Sequence, residues 1–166
     1  MPDRVTTDGL AVYAAGIAAA PVGEANLDNT PFLIFTVDSL SRRMDPETFL
    51  PLFTEWEADL EQGLFLLPID ENGLVYNDVQ KPHSPYGFTD TIGKTGTLYM
   101  ESLLYWRACR MMEHMCKTYG VGNPDHFAEA AESVERSLSL LFDPAAGAFY
   151  AATKACHQYD IWGMAY

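Results

Sequence analysis

Three aspartates in this sequence stand beside aromatic residues and ahead of helix-forming stretches: Asp28 in LDNTP, Asp90 in PYGFTDT and Asp160 in QYDIWG. Tyr86 and Phe88 precede Asp90, while Tyr159 and Trp162 bracket Asp160. A carboxyl group whose pKa is lifted by apolar neighbours can donate a proton, and an ionised one can hold hydroxyl groups. Tyr and Trp faces beside such acids suit stacking on a ring-shaped ligand. A helix N-terminus works the other way, because its positive end favours the ionised carboxylate and recruits aspartate as a simple cap. Asp90 therefore reads as proton donor, ligand-binding residue or cap, and Asp28 and Asp160 read first as caps.

Other chemistries fit less well. Gly93-Lys94-Thr95 has the flavour of a phosphate loop, but Gly87 leaves five residues before Gly93 where the Walker pattern needs four. Lys94 reads instead as a rim residue or an ion-pair partner. The MMEHMC run from Met111 to Cys116 offers soft metal ligands, yet its spacing is that of helix packing. His83 and His157 fall in loop segments and read as polar rim residues. There is no zinc spacing and no Ser-His-Asp signature, so neither a metal nor a cofactor is expected.

Composition narrows the classes further. The 166 residues suit one domain, and 48% apolar with 20% charged content is near the globular average. Ten basic against 23 acidic residues give a formal charge of -13, which repels phosphate backbones and anionic lipid. Nucleic acid and membrane surfaces are not expected partners. Cys109 and Cys116 lie seven apart on one expected helix, too far along it to bridge, which leaves no disulfide framework. The run Leu10 to Ala20 imitates a signal core, but Asp3 and Asp8 cancel Arg4. A cytoplasmic location is favoured over secretion on that ground.

The elements that must position these residues are helical. Thr30-Pro31, Asp45-Pro46 and Asn123-Pro124 each pair a capping residue with proline at an expected first helical position. Helices near 31–43 and 97–119 are apolar on most sides and read as inner ones; those near 47–64 and 124–142 carry one apolar stripe and read as outer ones. Pro51 is expected to delay the second start. The segments after the two outer helices repeat: LLPIDENGLVY ends at Tyr76 and LLFDPAAGAFY at Tyr150, with Asp70, Gly73 and Tyr76 answering Asp143, Gly147 and Tyr150. A second echo sets Asp28, Asp90 and Asp160 each before an inner helix. The unit is a helical hairpin plus a long loop.

PYGFTDTIGKTGTLYMESLLYWRAC, LDNTPFLIF, DENGLVYND and the closing YDIWGMAY together resemble six-hairpin glycosidases, the (α/α)6-barrel hydrolases of trehalase-like, glucoamylase-like and rhamnosidase-like kind. The resemblance runs from about Gly23 to the last residue. It implies an all-α fold, here an incomplete (α/α)6 toroid of about two and a half hairpins, since six units of this length would need about 440 residues. On this reading residues 1–166 are a single partial domain, with an irregular N-terminal segment over 1–27. All inner helices of such a barrel start at one rim, where acids and aromatics meet a carbohydrate substrate.

The resemblance implies Asp90 as the catalytic acid, with Asp28, Asn29, Tyr86, Phe88, Lys94, Tyr159, Asp160 and Trp162 binding substrate. The partner carboxylate is expected beyond residue 166, so the isolated chain is expected to be inactive and to self-associate through uncovered inner-helix flanks. Two alternatives stay open, namely a non-catalytic hairpin module binding carbohydrate or protein, and a lyase or epimerase on the same barrel. The long Leu67–Gly96 connection favours a ligand site over a bare scaffold, whose connections run about 2 to 8 residues.

Overall fold

The computed structural model describes residues 4–5, 11–12, 26–83, 94–154 and 158–166. Two short strands, β1 (Arg4–Val5) and β2 (Ala11–Val12), pair antiparallel within the N-terminal segment that the sequence presents as irregular. Four long helices follow: α1 (Asn29–Ser41), α2 (Pro46–Phe65), α3 (Tyr99–Tyr119) and α4 (Pro124–Ser137). Between α2 and α3 lie β3 (Tyr76–Asn77) and β4 (Thr95–Leu98). After α4, a 3-10 turn over Leu138–Leu141 leads into β5 (Phe142–Asp143), β6 (Ala148–Phe149), β7 (Ala152–Lys154) and α5 (Ile161–Ala165). The chain is helix-rich with only short strands, which places it in the all-α class.

Side-chain contacts give the helix directions. Gly63, late in α2, lies against Thr30, early in α1, so these helices run antiparallel. Trp106 Nε1 donates to Glu135 Oε1 at 2.7 Å, pairing the first half of α3 with the end of α4. Tyr119 Oη donates to the Ser41 carbonyl at 3.3 Å, so α1 and α3 end together and run parallel. Gly163 of α5 meets the ring of Tyr99 at the start of α3, and Tyr166 packs on Arg107 further along it. Hence α1, α3 and α5 all begin at one end of the molecule. The Arg107 guanidinium marks the row, lying 5.2 Å from the Phe35 ring of α1 and 5.0 Å from the Tyr166 ring.

The core lies between the helices and is built by Ile34, Phe49, Phe53, Leu64, Leu104, Met112, Met115 and Phe127, all fully buried. FLIFTV, which propensity alone could make a strand, is helical, because its Ile34 and Val37 face this core. The Met run packs inward through Met112 and Met115. Both described cysteines are buried, and burial pushes each thiol up to about 12, which makes them inert.

Some helix ends differ from expectation. Helix α1 starts at Asn29 rather than after Thr30, because Asp28 is already near-helical (φ -93, ψ -15), and Pro31 sits in the first turn where no N–H is required. Pro51 does not delay α2, which runs from Pro46 through it; buried Phe49 and Phe53 on either side hold the helix against the core. Helix α4 ends at Ser137, and the tighter 3-10 turn that follows brings Leu141 inward while Leu140 faces solvent.

The repeat is built into the backbone. Tyr76 N–H donates to the Pro68 carbonyl at 2.8 Å, and Tyr150 N–H to the Leu141 carbonyl at 2.9 Å. Within each turn the aspartate carboxylate accepts two backbone N–H groups, those of Asn72 and Leu74 for Asp70 and those of Ala145 and Ala146 for Asp143. Gly73 (φ 83) and Gly147 (φ 65) supply the left-handed step that closes both turns. The repeated Asp and Gly are therefore turn-makers.

Candidate functional site

The long connections, with strands β3, β4 and β7 paired antiparallel in that order, gather at the end where α1, α3 and α5 begin. The two inter-hairpin loops are thus tied to one another, and Thr97 N–H adds a 2.9 Å bond to Thr153 Oγ1. Gly96 makes this possible, with φ 86 and no room for a Cβ against Thr153 and Lys154.

Asp28 stands at the N-cap position of α1, yet its side chain makes no cap hydrogen bond. Burial raises its carboxyl pKa above the usual range, while its own backbone N–H and the Lys94 ammonium pull it partly back. Asn29 follows as the first helical residue. Lys94 precedes β4 and is nearly buried, with Nζ 3.7 Å from Glu101 Oε1. Glu101, third residue of α3, is 1% exposed. Asp28, Lys94 and Glu101 thus bring an acid of raised pKa, a cation and a second acid to the shared start of α1 and α3.

On the other side of α3, Asp160 caps α5: Oδ1 accepts the Gly163 N–H at 2.9 Å. Its Oδ2 is buried without a hydrogen-bond partner among the described residues, so the cap leaves an acceptor in place. Tyr99 lies beside it, stacked on Phe149 at 4.3 Å, with its phenol pKa raised by burial and by the Asp160 charge. Trp162 is half-exposed. Tyr159 is exposed but already engaged: its hydroxyl donates to Asp143 Oδ2 at 2.8 Å and its ring stacks on Tyr150 at 5.2 Å. Tyr86, Phe88, Asp90 and His157 lie outside the described residues. His83 is described, and its backbone, rather than its ring, shows hydrogen bonds to Asn77.

The second echo can be followed in the backbone at Asp160. Asp160 N–H donates to the Phe149 carbonyl at 2.9 Å, and the equivalent bond one unit earlier is from Leu98 N–H to the Val75 carbonyl at 2.8 Å. Leu98, the N-cap of α3, therefore answers Asp160 in backbone register, while Asp90 lies outside the described residues. Glu101 escaped the sequence reading because the Leu98–Tyr119 run is so apolar that one acid was absorbed into it. The signal was present: Glu101 shares a helical face with Leu104, Tyr105 and Ala108, all buried, where a charge is costly unless paired.

Among the described residues no group of three or more His, Cys, Asp or Glu is arranged to hold a metal ion. No helix among them is long and apolar enough to cross a membrane.

Parallel helices α1 and α3, each with an acid near its start and each returned by an antiparallel helix, α2 and α4, define a helical-hairpin fold. No protein-family model matches the chain, and no curated protein matches it. Among solved structures it is similar to a rhamnosidase from Klebsiella oxytoca with rhamnose bound, at a TM-score of 0.66 and 13% identity over 94% of this chain. The chain spans 29% of that protein's length. At this identity the likeness is one of fold alone.

Proposed function

We propose that this chain forms one section of a glycoside hydrolase barrel of the six-hairpin kind and contributes part of a carbohydrate-binding rim. The observation that carries the reading is the gathering of Asp28, Lys94 and Glu101 where the parallel helices α1 and α3 start, in a fold similar to a rhamnosidase's. Carboxylates and an ammonium at such a rim hold sugar hydroxyls, and Tyr86, Phe88 and Trp162 enclose the ring on this reading. Asn29, Tyr159 and Asp160 complete the binding set, Asp160 through its remaining oxygen. Two hairpins are a third of a toroid, so catalysis requires further hairpins bearing the second carboxylate.

In the complete enzyme Asp90 donates the proton to the departing glycosidic oxygen. The test is Asp90→Asn in the full-length parent, assayed on aryl glycosides with good and poor leaving groups. Loss of the acid lowers kcat by about 10²- to 10⁴-fold on the poor leaving group and far less on the good one. Equal loss on both substrates rejects the proton-donor role and leaves Asp90 as a binding residue. Hydrolysis of no glycoside by the parent rejects the functional reading altogether.

A further inference from the structure

Asn77, in β3, is completely buried, and its side-chain amide is satisfied by two residues distant in sequence. Its Nδ2 donates to the Lys94 carbonyl at 2.7 Å and to the His83 carbonyl at 3.0 Å, while its Oδ1 accepts the His83 N–H at 2.8 Å. A carboxamide offers two donors and an acceptor on one small planar group, which no other side chain of this size supplies. The strand ladder adds to the grip, because Asn77 pairs with Gly96, two residues beyond Lys94. His83 and Lys94 flank the stretch of sequence that carries Tyr86, Phe88 and Asp90.

Lys94 is the residue whose position matters most at the rim. Its side chain is nearly buried, its ammonium lies 3.7 Å from Glu101 Oε1, and its charge acts on Asp28. A lysine stem is flexible, so where its ammonium stands depends on where its backbone is pinned. We propose that Asn77 is the positioning residue of this rim, pinning the Lys94 backbone so that the ammonium meets Glu101. The role rests on the reading that the rim binds carbohydrate, and it concerns a residue that never touches the sugar.

The experiment follows Lys94 directly, in the full chain, by reductive methylation with mass-spectrometric readout, using exposed Lys117 as the internal standard. In the wild type Lys94 reacts at least ~10-fold more slowly than Lys117, as expected of a buried, paired amine. Asn77→Ala, Asn77→Ser and Asn77→Asp each remove at least one donor, and Asn77→Asp also sets a carboxylate against two carbonyl oxygens. In variants that keep the wild-type helical circular dichroism, Lys94 becomes reactive to within ~3-fold of Lys117, whose own rate is unchanged. Asn77→Gln, which keeps the amide, restores part of the protection.

Unchanged protection of Lys94 in a folded Asn77 variant overturns the proposal. Collapse of the helical signal in all the variants overturns it as well, since Asn77 is then a structural residue only. Titration with L-rhamnose separates the two levels. No binding by the wild type counts against the carbohydrate reading alone, and unchanged Lys94 protection counts against Asn77 alone.

Discussion

Lys94 Nζ lies 3.7 Å from Glu101 Oε1, and both side chains are almost removed from solvent. Two buried opposite charges gain from each other roughly what they lose in hydration, so the pair adds little net stability while each partner depends on the other. Lys94→Met therefore destabilises the fold by about 3–5 kcal/mol, because the Glu101 carboxylate loses its ammonium. The double change Lys94→Met with Glu101→Gln recovers most of the loss. Urea unfolding of the four forms checks this, and a double variant no more stable than Lys94→Met would show that the pair is not coupled.

Asp28 makes stability depend on pH. Its folded-state pKa is raised, chiefly by burial, so the folded form binds its proton more tightly than the unfolded chain does. The contribution is fully present below the unfolded value of about 3.9 and is lost as pH rises through the folded value. Asp28→Asn is accordingly more stable than the wild type at neutral pH and gains nothing in acid. Melting temperatures of both proteins from pH 3 to 8 check the sign, and a variant less stable at pH 7 contradicts it.

Glu57 behaves in the same direction at the other end of the molecule, where burial first and Glu61 second raise its carboxyl. It lies 4.0 Å from Cys116 Sγ in the α2–α3 contact and beside Gly122. Glu57→Gln keeps the shape and removes the charge, so it stabilises above the folded pKa and is neutral below the unfolded one. A stabilisation that persisted unchanged in acid would point to packing rather than ionisation.

Helix α5 docks because residue 163 has no side chain. A Cβ there would stand 2.6 Å from Tyr99 Cδ1, and Tyr99 is held by its stack on Phe149 at 4.3 Å. Gly163→Ala costs about 1–3 kcal/mol of overpacking at this contact and releases α5 from α3. Hydrogen exchange should then accelerate over 161–166 while the amides of α3 keep their protection. Loss of protection throughout α3 would mean that α5 is part of the cooperative core.

How much of this was legible in advance differs by element. Proline marked three helix starts to within about two residues, because its fixed φ and missing N–H suit a first turn; of the three residues before it only Asn123 makes a side-chain cap hydrogen bond. That the segments between these starts are helical followed from their apolar periodicity. Acids at helix starts were legible too at Asp28 and Asp160, whereas the equivalence of Leu98 and Asp160 shows only in the backbone bonds that each makes. Asn77 was missed because what distinguishes it is a set of hydrogen bonds to His83 and Lys94 that only the folded loop brings together, and Glu101 because one acid was absorbed into an apolar run.

The exposed apolar residues at the α5 flank bear on the behaviour of the isolated chain. Ile161 is 71% exposed and Trp162 51%, with Met164, Tyr166 and Phe32 of α1 also open. Such a row favours association between copies, because burying it removes apolar surface from water. The net charge of -13 opposes association at long range. Salt decides between the two: raising ionic strength from about 0.01 to 1 M shortens the screening length from about 30 to 3 Å and leaves the apolar attraction in place. Sedimentation should therefore show a chain nearer to monomeric in dilute salt and associated in high salt. Ile161→Ser weakens the associated form without lowering the unfolding midpoint, since this side chain is mostly exposed. Association that weakened with salt would mean instead that charged groups hold the copies together, and the α5 flank would have no part in it.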